Sequence, residues 1–170
     1  MIKQILAESI EINETNIQTW IKSFMDNVQP QRTRLGQYYD GINEIIKMGA
    51  VANRPNYRVN VNLAKYITDV ATSYFIGKPV QYSALNENES AELDKLNEIN
   101  KRNYEQDINF ECAGDCSVYG VGYQLCYVNS KKESAYKVLE PENIFMVYAG
   151  DVEQLPICAI YMVAKKNSKY

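Results

Sequence analysis

Apolar residues near the start of the chain recur at the three- and four-residue spacing that places side chains on one face of an α-helix. The stripe consists of Ile17, Trp20, Ile21, Phe24, Met25 and Val28. Asn13 is suited to cap this helix, because its side chain can accept a hydrogen bond from an unpaired backbone N–H. Pro30 lacks a backbone N–H, so the pattern predicts a break there and a second helical piece that ends near Gly41.

A second apolar stripe follows a loop that is rich in glycine, asparagine and arginine. It consists of Leu63, Ile67, Val70 and Tyr74. Asn60 or Asn62 is expected to cap this helix, and Gly77 is expected to end it. Because both stripes have the width of a buried helix face, we expect both to contribute to the core. The predicted core residues are Trp20, Phe24, Ile67, Val70 and Tyr74.

The middle of the chain predicts a short strand and two more helices. The strand covers residues 80–84, and an acidic surface helix covers residues 87–103, with Asn86 and Glu89 as its capping pair. A further helix over residues 104–119 would align four side chains on one side. These are Ile108, Cys112, Cys116 and Tyr119. Gly120 and Gly122 then allow a sharp turn from helix to strand.

After Gly120 the apolar pattern changes from the helical period to the alternation of strands. Strands are predicted over residues 121–127, 135–139, 144–148 and 157–164, with a hairpin loop between the first two. The prediction is therefore an α+β fold, in which N-terminal helices precede an antiparallel β meander. We expect a single domain over residues 1–170, helical over 13–119 and mainly β over 121–164.

Composition argues against an enzyme. The 170 residues include no histidine, which removes the commonest general base and a principal metal ligand. Neither the glycine spacing of a P-loop nor that of a dinucleotide-binding turn occurs. We therefore expect no catalytic residues, no cofactor and no metal. No apolar run approaches the roughly 18 residues that span a bilayer, so we expect no membrane contact, synthesis in the cytoplasm and reduced cysteines.

Two clusters have the residue types of a chemical site, but we interpret both as structural. Asp107, Glu111 and Asp115 lie four residues apart on one predicted helix face, where a solvated acidic face is more common than a metal or acid–base site. Cys112 and Cys116 have the same spacing, but a zinc site would also need the distant Cys126 and Cys158. We interpret the cysteines as small apolar residues rather than as ligands.

Charge is distributed unevenly along a chain whose net charge is -3. Residues 30–66 hold six basic and two acidic side chains, whereas residues 86–111 hold eight acidic and three basic ones. Such opposed patches can fix the register between neighbouring subunits, although two solvated faces explain them equally well. The strongest candidates for nucleic-acid contact are four arginines, which lie among several tyrosines. They are Arg32, Arg34, Arg54 and Arg58.

Four stretches resemble the portal proteins of tailed bacteriophages, in the branch typical of long-tailed phages and prophages of Gram-positive bacteria. They are YYDG at 38–41, RVNVNLAKYITDVATSYFIGKPV at 58–80, DCSVYGVGYQLCYV at 115–128 and LEPENIFMVY at 139–148. Their order and spacing resemble that family from about residue 15 to the end of the sequence. The second and third stretches are the more specific ones.

The resemblance implies a structural subunit of the ring, usually dodecameric, at the capsid vertex of the virion. DNA would be packaged and ejected through the assembled channel, and this chain resembles the outer wing of the ring. The implied partners are other portal subunits, terminase, the head–tail connector and capsid or scaffold proteins. Because portal proteins are longer, we expect a fragment of one. The alternative is a truncated, prophage-derived module that binds another protein.

Overall fold

The computed structural model describes residues 4–7, 11–49, 55, 57, 59–84 and 90–163. It confirms the α+β class. In chain order the elements are β1 (Ile5–Ala7), α1 (Glu14–Asn27), α2 (Gln29–Tyr39), α3 (Glu44–Lys47), α4 (Leu63–Ile76), α5 (Ser90–Arg102), α6 (Glu105–Tyr119), β2 (Tyr123–Val128), β3 (Ser134–Leu139), β4 (Ile144–Ala149) and β5 (Pro156–Tyr161).

The chain groups into two compact units. The terminal unit combines Met1–Leu35 with Glu140–Tyr170, and the central unit is Gly36–Leu139. The strands divide between them. The terminal unit holds a three-stranded sheet in the order β1-β4-β5, and the central unit holds the hairpin of β2 and β3.

The core of the terminal unit forms between α1 and the three-stranded sheet. β4 is the central strand, parallel to β1 and antiparallel to β5. Phe24 of α1 stacks on Phe145 of β4, with ring centroids 4.5 Å apart and planes 16° apart. Trp20 and Val147 are also buried. Both core residues predicted on the first helix, Trp20 and Phe24, are therefore confirmed.

Local capping explains where α1 and α2 begin and end. Asn13 accepts a hydrogen bond from the Asn16 backbone N–H at 2.8 Å, which confirms the predicted N-cap of α1. The backbone N–H of Val28 still bonds the Phe24 carbonyl, and α2 starts at the next residue. Pro30 lies in the first turn of α2, where a backbone N–H has no helical partner to lose. Gly41, with φ of +78°, follows the end of α2 as predicted.

The central unit is joined largely by asparagine side chains. Asn62 caps α4 by accepting the Lys65 backbone N–H at 3.0 Å, and its amide donates to the Tyr39 carbonyl at 2.7 Å. Asn103 bridges the end of α5 to β3, donating to the Ser134 carbonyl at 3.0 Å. Such bonds connect the loops to the helices. Among the described residues of this unit, the buried apolar side chains are mainly Val138 and Leu139 of β3.

Two glycines form the turn from α6 to β2, as the sequence predicts. Gly120 adopts φ of +74°, a left-handed conformation that favours glycine, and its N–H bonds the Cys116 carbonyl at 3.0 Å. A Cβ on Gly122 would lie 2.7 Å from the Cys112 carbonyl oxygen. Real side chains do not approach backbone so closely, so the turn requires a glycine at this position.

The prediction that Ile67, Val70 and Tyr74 belong to the core is wrong, because all three side chains are exposed. The stripe exists, but it faces away from the rest of the central unit. The strand predicted over residues 80–84 is also wrong, since these residues take no regular structure. The predicted cap at Asn86 and Glu89 lies outside the described residues.

Candidate functional site

The outward surface of α4 is the most unusual feature of the central unit. We call it the α4 apolar face and define it as Leu63, Ile67, Val70 and Tyr74. The exposed fractions of Ile67, Val70 and Tyr74 are 64%, 51% and 95%. Four large apolar side chains are thus presented to solvent along three turns of one helix.

Helix geometry explains why this face is outward. Thr72 follows Leu63 by nine residues, which at about 100° per residue places it on the opposite side of the helix. Thr72 is buried, and Thr68 and Asp69 beside it are half-buried. The polar side of α4 therefore packs towards the interior and the apolar side faces out, which is the reverse of an ordinary surface helix.

The segment before α4 also exposes apolar side chains. Tyr57, Val59 and Val61 precede the helix with exposed side chains. Large apolar surface exposed to water costs free energy and is typical of a contact with another molecule. The central unit therefore carries a candidate interaction surface built mainly on one helix.

A hydrogen-bonded pair holds the inner side of α4 to the end of α2. The Tyr39 hydroxyl donates to Asp69 at 2.8 Å. The Lys65 ammonium lies 4.5 Å from the centroid of the Tyr39 ring. Burial, and then the hydrogen bond to Asp69, raise the pKa of Tyr39 above its ordinary value of 10.0. This phenol therefore stays protonated at neutral pH and keeps its donor for Asp69.

The four candidate nucleic-acid arginines do not form one described surface. Arg32 is only 5% exposed, and its guanidinium donates to the carbonyls of Pro141 and Ile144, the latter at 2.7 Å. It also lies 5.4 Å from the centroid of the Phe24 ring. These contacts give Arg32 a structural role inside the terminal unit. Arg34 is exposed on α2, and Arg54 and Arg58 lie outside the described residues.

The three acidic side chains along α6, Asp107, Glu111 and Asp115, lie in different surroundings. Asp107 is exposed, as expected of a solvated face. Glu111, which is also exposed, and the half-buried Asp115 line a cleft beside α4, together with Asp40 and Asp69. Sequence spacing alone does not predict this convergence, because the acids come from three separate segments. Among the described residues, no group of three or more acidic or thiol side chains is placed to hold a metal ion.

The cysteines are free thiols in three different places. Cys112 and Cys116 lie together on α6, Cys126 is exposed on β2, and Cys158 belongs to the terminal unit. Burial, and then the neighbouring Cys116 thiol and Asp115, raise the pKa of Cys112. Burial also raises the pKa of Cys158. Both thiols are therefore held in their protonated form, which is poorly nucleophilic.

The chain is similar to one family of known proteins over most of its length. A family model described as "Phage portal protein, SPP1 Gp6-like" matches residues 20–170. A search of curated proteins found no match. Within the described part of the chain, no helix combines the length and apolar character that crossing a bilayer requires. The match extends over most of α1 and every later helix and strand.

Proposed function

Because the chain belongs to the SPP1 Gp6-like family of phage portal proteins, we propose that it forms part of the ring through which phage DNA is packaged and later ejected. The family is structural, and its members form oligomeric rings at the capsid vertex. The proposed contribution of this chain is to hold neighbouring subunits together in the outer, wing part of the ring.

The observation that carries this proposal is the α4 apolar face. A helix that directs its polar residues inward and its apolar residues outward gains stability only when another molecule covers the apolar side. In a ring every subunit offers the same surfaces to its neighbours, so one patch of this kind recurs at every interface. We propose that neighbouring copies cover Leu63, Ile67, Val70 and Tyr74.

Subunit packing, rather than a reaction, is the proposed mode of action. Terminase, the head–tail connector and capsid or scaffold proteins are the proposed partners of the assembled ring, and DNA passes through its channel. The absence of histidine from the sequence supports a role without acid–base catalysis.

Electron microscopy of the purified chain tests the ring directly. We expect closed annular particles with one rotational symmetry at high protein concentration. The variant Ile67→Ser/Val70→Ser should yield single subunits, because serine removes apolar area from the face. Ser73→Ala, an exposed change on the same helix outside the face, is the matched control and should leave the rings intact. Open, irregular chains, or rings that persist in the double variant, would contradict the proposal.

Contact with DNA is a separate proposal for Arg34, Arg54 and Arg58. It is supported by the excess of basic residues over positions 30–66. Binding to a labelled duplex can be measured by fluorescence anisotropy at increasing salt. Each arginine that neutralises a phosphate should contribute about 0.9 to the slope of log affinity against log salt, and its change to glutamine should remove that contribution. Arg102→Gln, in a region rich in acidic residues, is the control. An unchanged slope in all three variants would exclude these residues as phosphate contacts.

A further inference from the structure

The β2–β3 hairpin of the central unit has two edges, and its register decides which backbone groups face them. In an antiparallel pair, opposed residues alternate between bonding each other and directing their N–H and C=O groups outward. The Asn129 N–H donates to the Glu133 carbonyl at 2.9 Å, at the loop end of the ladder. Counted along the register from this bonded pair, the outward-facing residues of β2 are Gln124, Cys126 and Val128.

The outer edge of β3 is occupied by the end of α5. The side-chain nitrogen of Asn103 donates to the Ser134 carbonyl at 3.0 Å, and its side-chain oxygen accepts from the Tyr136 N–H at 3.2 Å. Arg102 adds a longer bond to the Ser134 carbonyl at 3.4 Å. Both backbone groups are outward-facing ones, so Asn103 bonds the edge where a further strand would have to pair. This side of the hairpin is therefore closed to another strand.

The outer edge of β2 differs, because it is open within the part of the chain that the structure describes. Gln124, Cys126 and Val128 are exposed, and their outward backbone groups bond no other described residue. Leu125 and Tyr127 direct their backbone groups to β3, and their side chains are exposed as well. β2 thus offers a row of free donors and acceptors beside apolar side chains.

β2 also lacks the features by which edge strands avoid pairing with other chains. Its sequence, YQLCYV at 123–128, contains no charged residue, no proline and no glycine. Its register with β3 runs without a bulge over all six residues. Charges, prolines and bulges are the usual protections of an exposed edge, and an edge without them is a template for another strand. The main chain of β2 therefore fits a partner that presents a strand of its own.

The terminal unit of the chain has an edge of the matching kind. β5 is an outer strand of its sheet, antiparallel to β4. The Met162 N–H donates to the Asn143 carbonyl at 2.8 Å, so the same alternation directs the backbone groups of Ala159 and Tyr161 outward. Both residues are exposed. Like β2, the strand PICAIY at 156–161 has six residues and no charge.

We infer that β2 of one copy pairs with β5 of a neighbouring copy through main-chain hydrogen bonds along their outer edges. The inference rests on the proposed ring for the presence of a neighbour. β1 has only three residues and the β3 edge is occupied, which leaves β5 as the described edge of matching length. Two different strands make a head-to-tail contact, which repeats from copy to copy and closes into a ring. Pairing of β2 with β2 would stop at two copies.

Amide hydrogen exchange tests the pairing without any variant. Exchange is compared between dilute and concentrated chain, quenched, and read at single residues by mass spectrometry with electron-transfer fragmentation. The amides of Cys126 and Val128 should exchange at least about tenfold more slowly when copies associate. Those of Leu125 and Tyr127, which already bond β3, should change little. Association without this alternating protection would overturn the inference and leave the ring standing. A chain that never associates would contradict both.

Proline variants test the two edges separately. Cys126→Pro and Ala159→Pro each remove one outward N–H, at positions where an edge strand accepts proline. Each variant should associate at least about tenfold more weakly in sedimentation velocity. Cys126→Ser and Ala159→Ser retain the N–H and are the matched controls, which should associate like the wild-type chain. Serine variants as weak as the proline variants would show that the side chains, and not the main chain, make the contact, and would overturn the inference.

Mixing the two proline variants tests the choice of β5 as the partner of β2. Cys126→Pro keeps an intact β5 edge and Ala159→Pro keeps an intact β2 edge, so an equimolar mixture should form pairs of one copy of each. Pair formation also demonstrates that both variants are folded. A mixture that behaves like either variant alone would overturn the pairing of β2 with β5.

Discussion

The two units of this chain bury their apolar residues in opposite ways. The terminal unit places Phe24, Phe145 and Val147 at the centre of its own sheet-and-helix core. The central unit turns the apolar stripe of α4 outward and buries Thr72 and Asn100 instead. Both units have amphipathic helices of the same length, α1 and α4, with 14 residues each. One helix completes a core, whereas the other presents its apolar side to solvent, where we propose that subunits assemble.

A substitution in the core of the terminal unit should cause the largest loss of stability. Phe24→Ala removes a fully buried ring that stacks on Phe145, so the free energy of unfolding should fall by about 3 to 5 kcal/mol. Val70→Ala, at an exposed position of α4, should change it by less than about 0.5 kcal/mol in the monomer. Urea unfolding of both variants measures the contrast. Equal losses would break the distinction between the two units.

Substitution of Arg32 should cause the next largest loss of stability. Arg32→Met keeps the length of the side chain but leaves the carbonyls of Pro141 and Ile144 without their donor. The expected loss is about 1 to 3 kcal/mol of unfolding free energy. Arg32→Lys retains the charge and should lose less. If Arg32→Met instead weakened DNA binding without loss of stability, Arg32 would belong to the nucleic-acid surface.

Changes on the α4 apolar face should affect association far more than stability. Ile67→Ser/Val70→Ser should change the unfolding free energy of the monomer by only about 0.5 kcal/mol per site, because both side chains are already exposed. Sedimentation velocity should show that its association is weakened at least tenfold. A variant that unfolded instead would show that this face is buried within a single chain.

The smallest effect concerns pH and the Cys112 thiol. Its pKa is raised in the folded chain, so folding favours the protonated form, and the resulting stability is lost as pH rises through the folded pKa. Thermal melts should therefore show lower stability at about pH 10 than at about pH 8. Cys112→Ala should make this loss shallower, whereas Cys126→Ala, on the exposed strand β2, should not. Tyr39 contributes in the same direction nearer its own higher pKa.

Local patterns predict the elements of this chain well. Asn13 and Asn62 cap the helices that their spacing indicates, and Gly120 ends α6 as expected. These features depend on residues within a few positions of one another, where capping and helical period operate. By contrast, β1 has three residues and forms only by pairing with β4, which lies well over a hundred positions away.

The direction of α4 is not determined by its period. An apolar stripe shows which residues share a face, but whether that face meets the chain itself or another molecule depends on the whole fold. The acidic cleft is not predictable from the sequence for the same reason, since Asp40, Asp69 and Glu111 come together only after the chain folds. The resemblance in the sequence identified the family correctly, because its motifs are contiguous.

The most direct test of the account is the molar mass of the purified chain, measured by light scattering over a concentration series beside Ile67→Ser/Val70→Ser. We expect the wild-type chain to approach one discrete multiple of 19.5 kDa, while the double variant stays at 19.5 kDa. If the wild-type chain stayed at 19.5 kDa throughout, or if the variant associated equally well, the α4 apolar face would not be the surface that joins subunits.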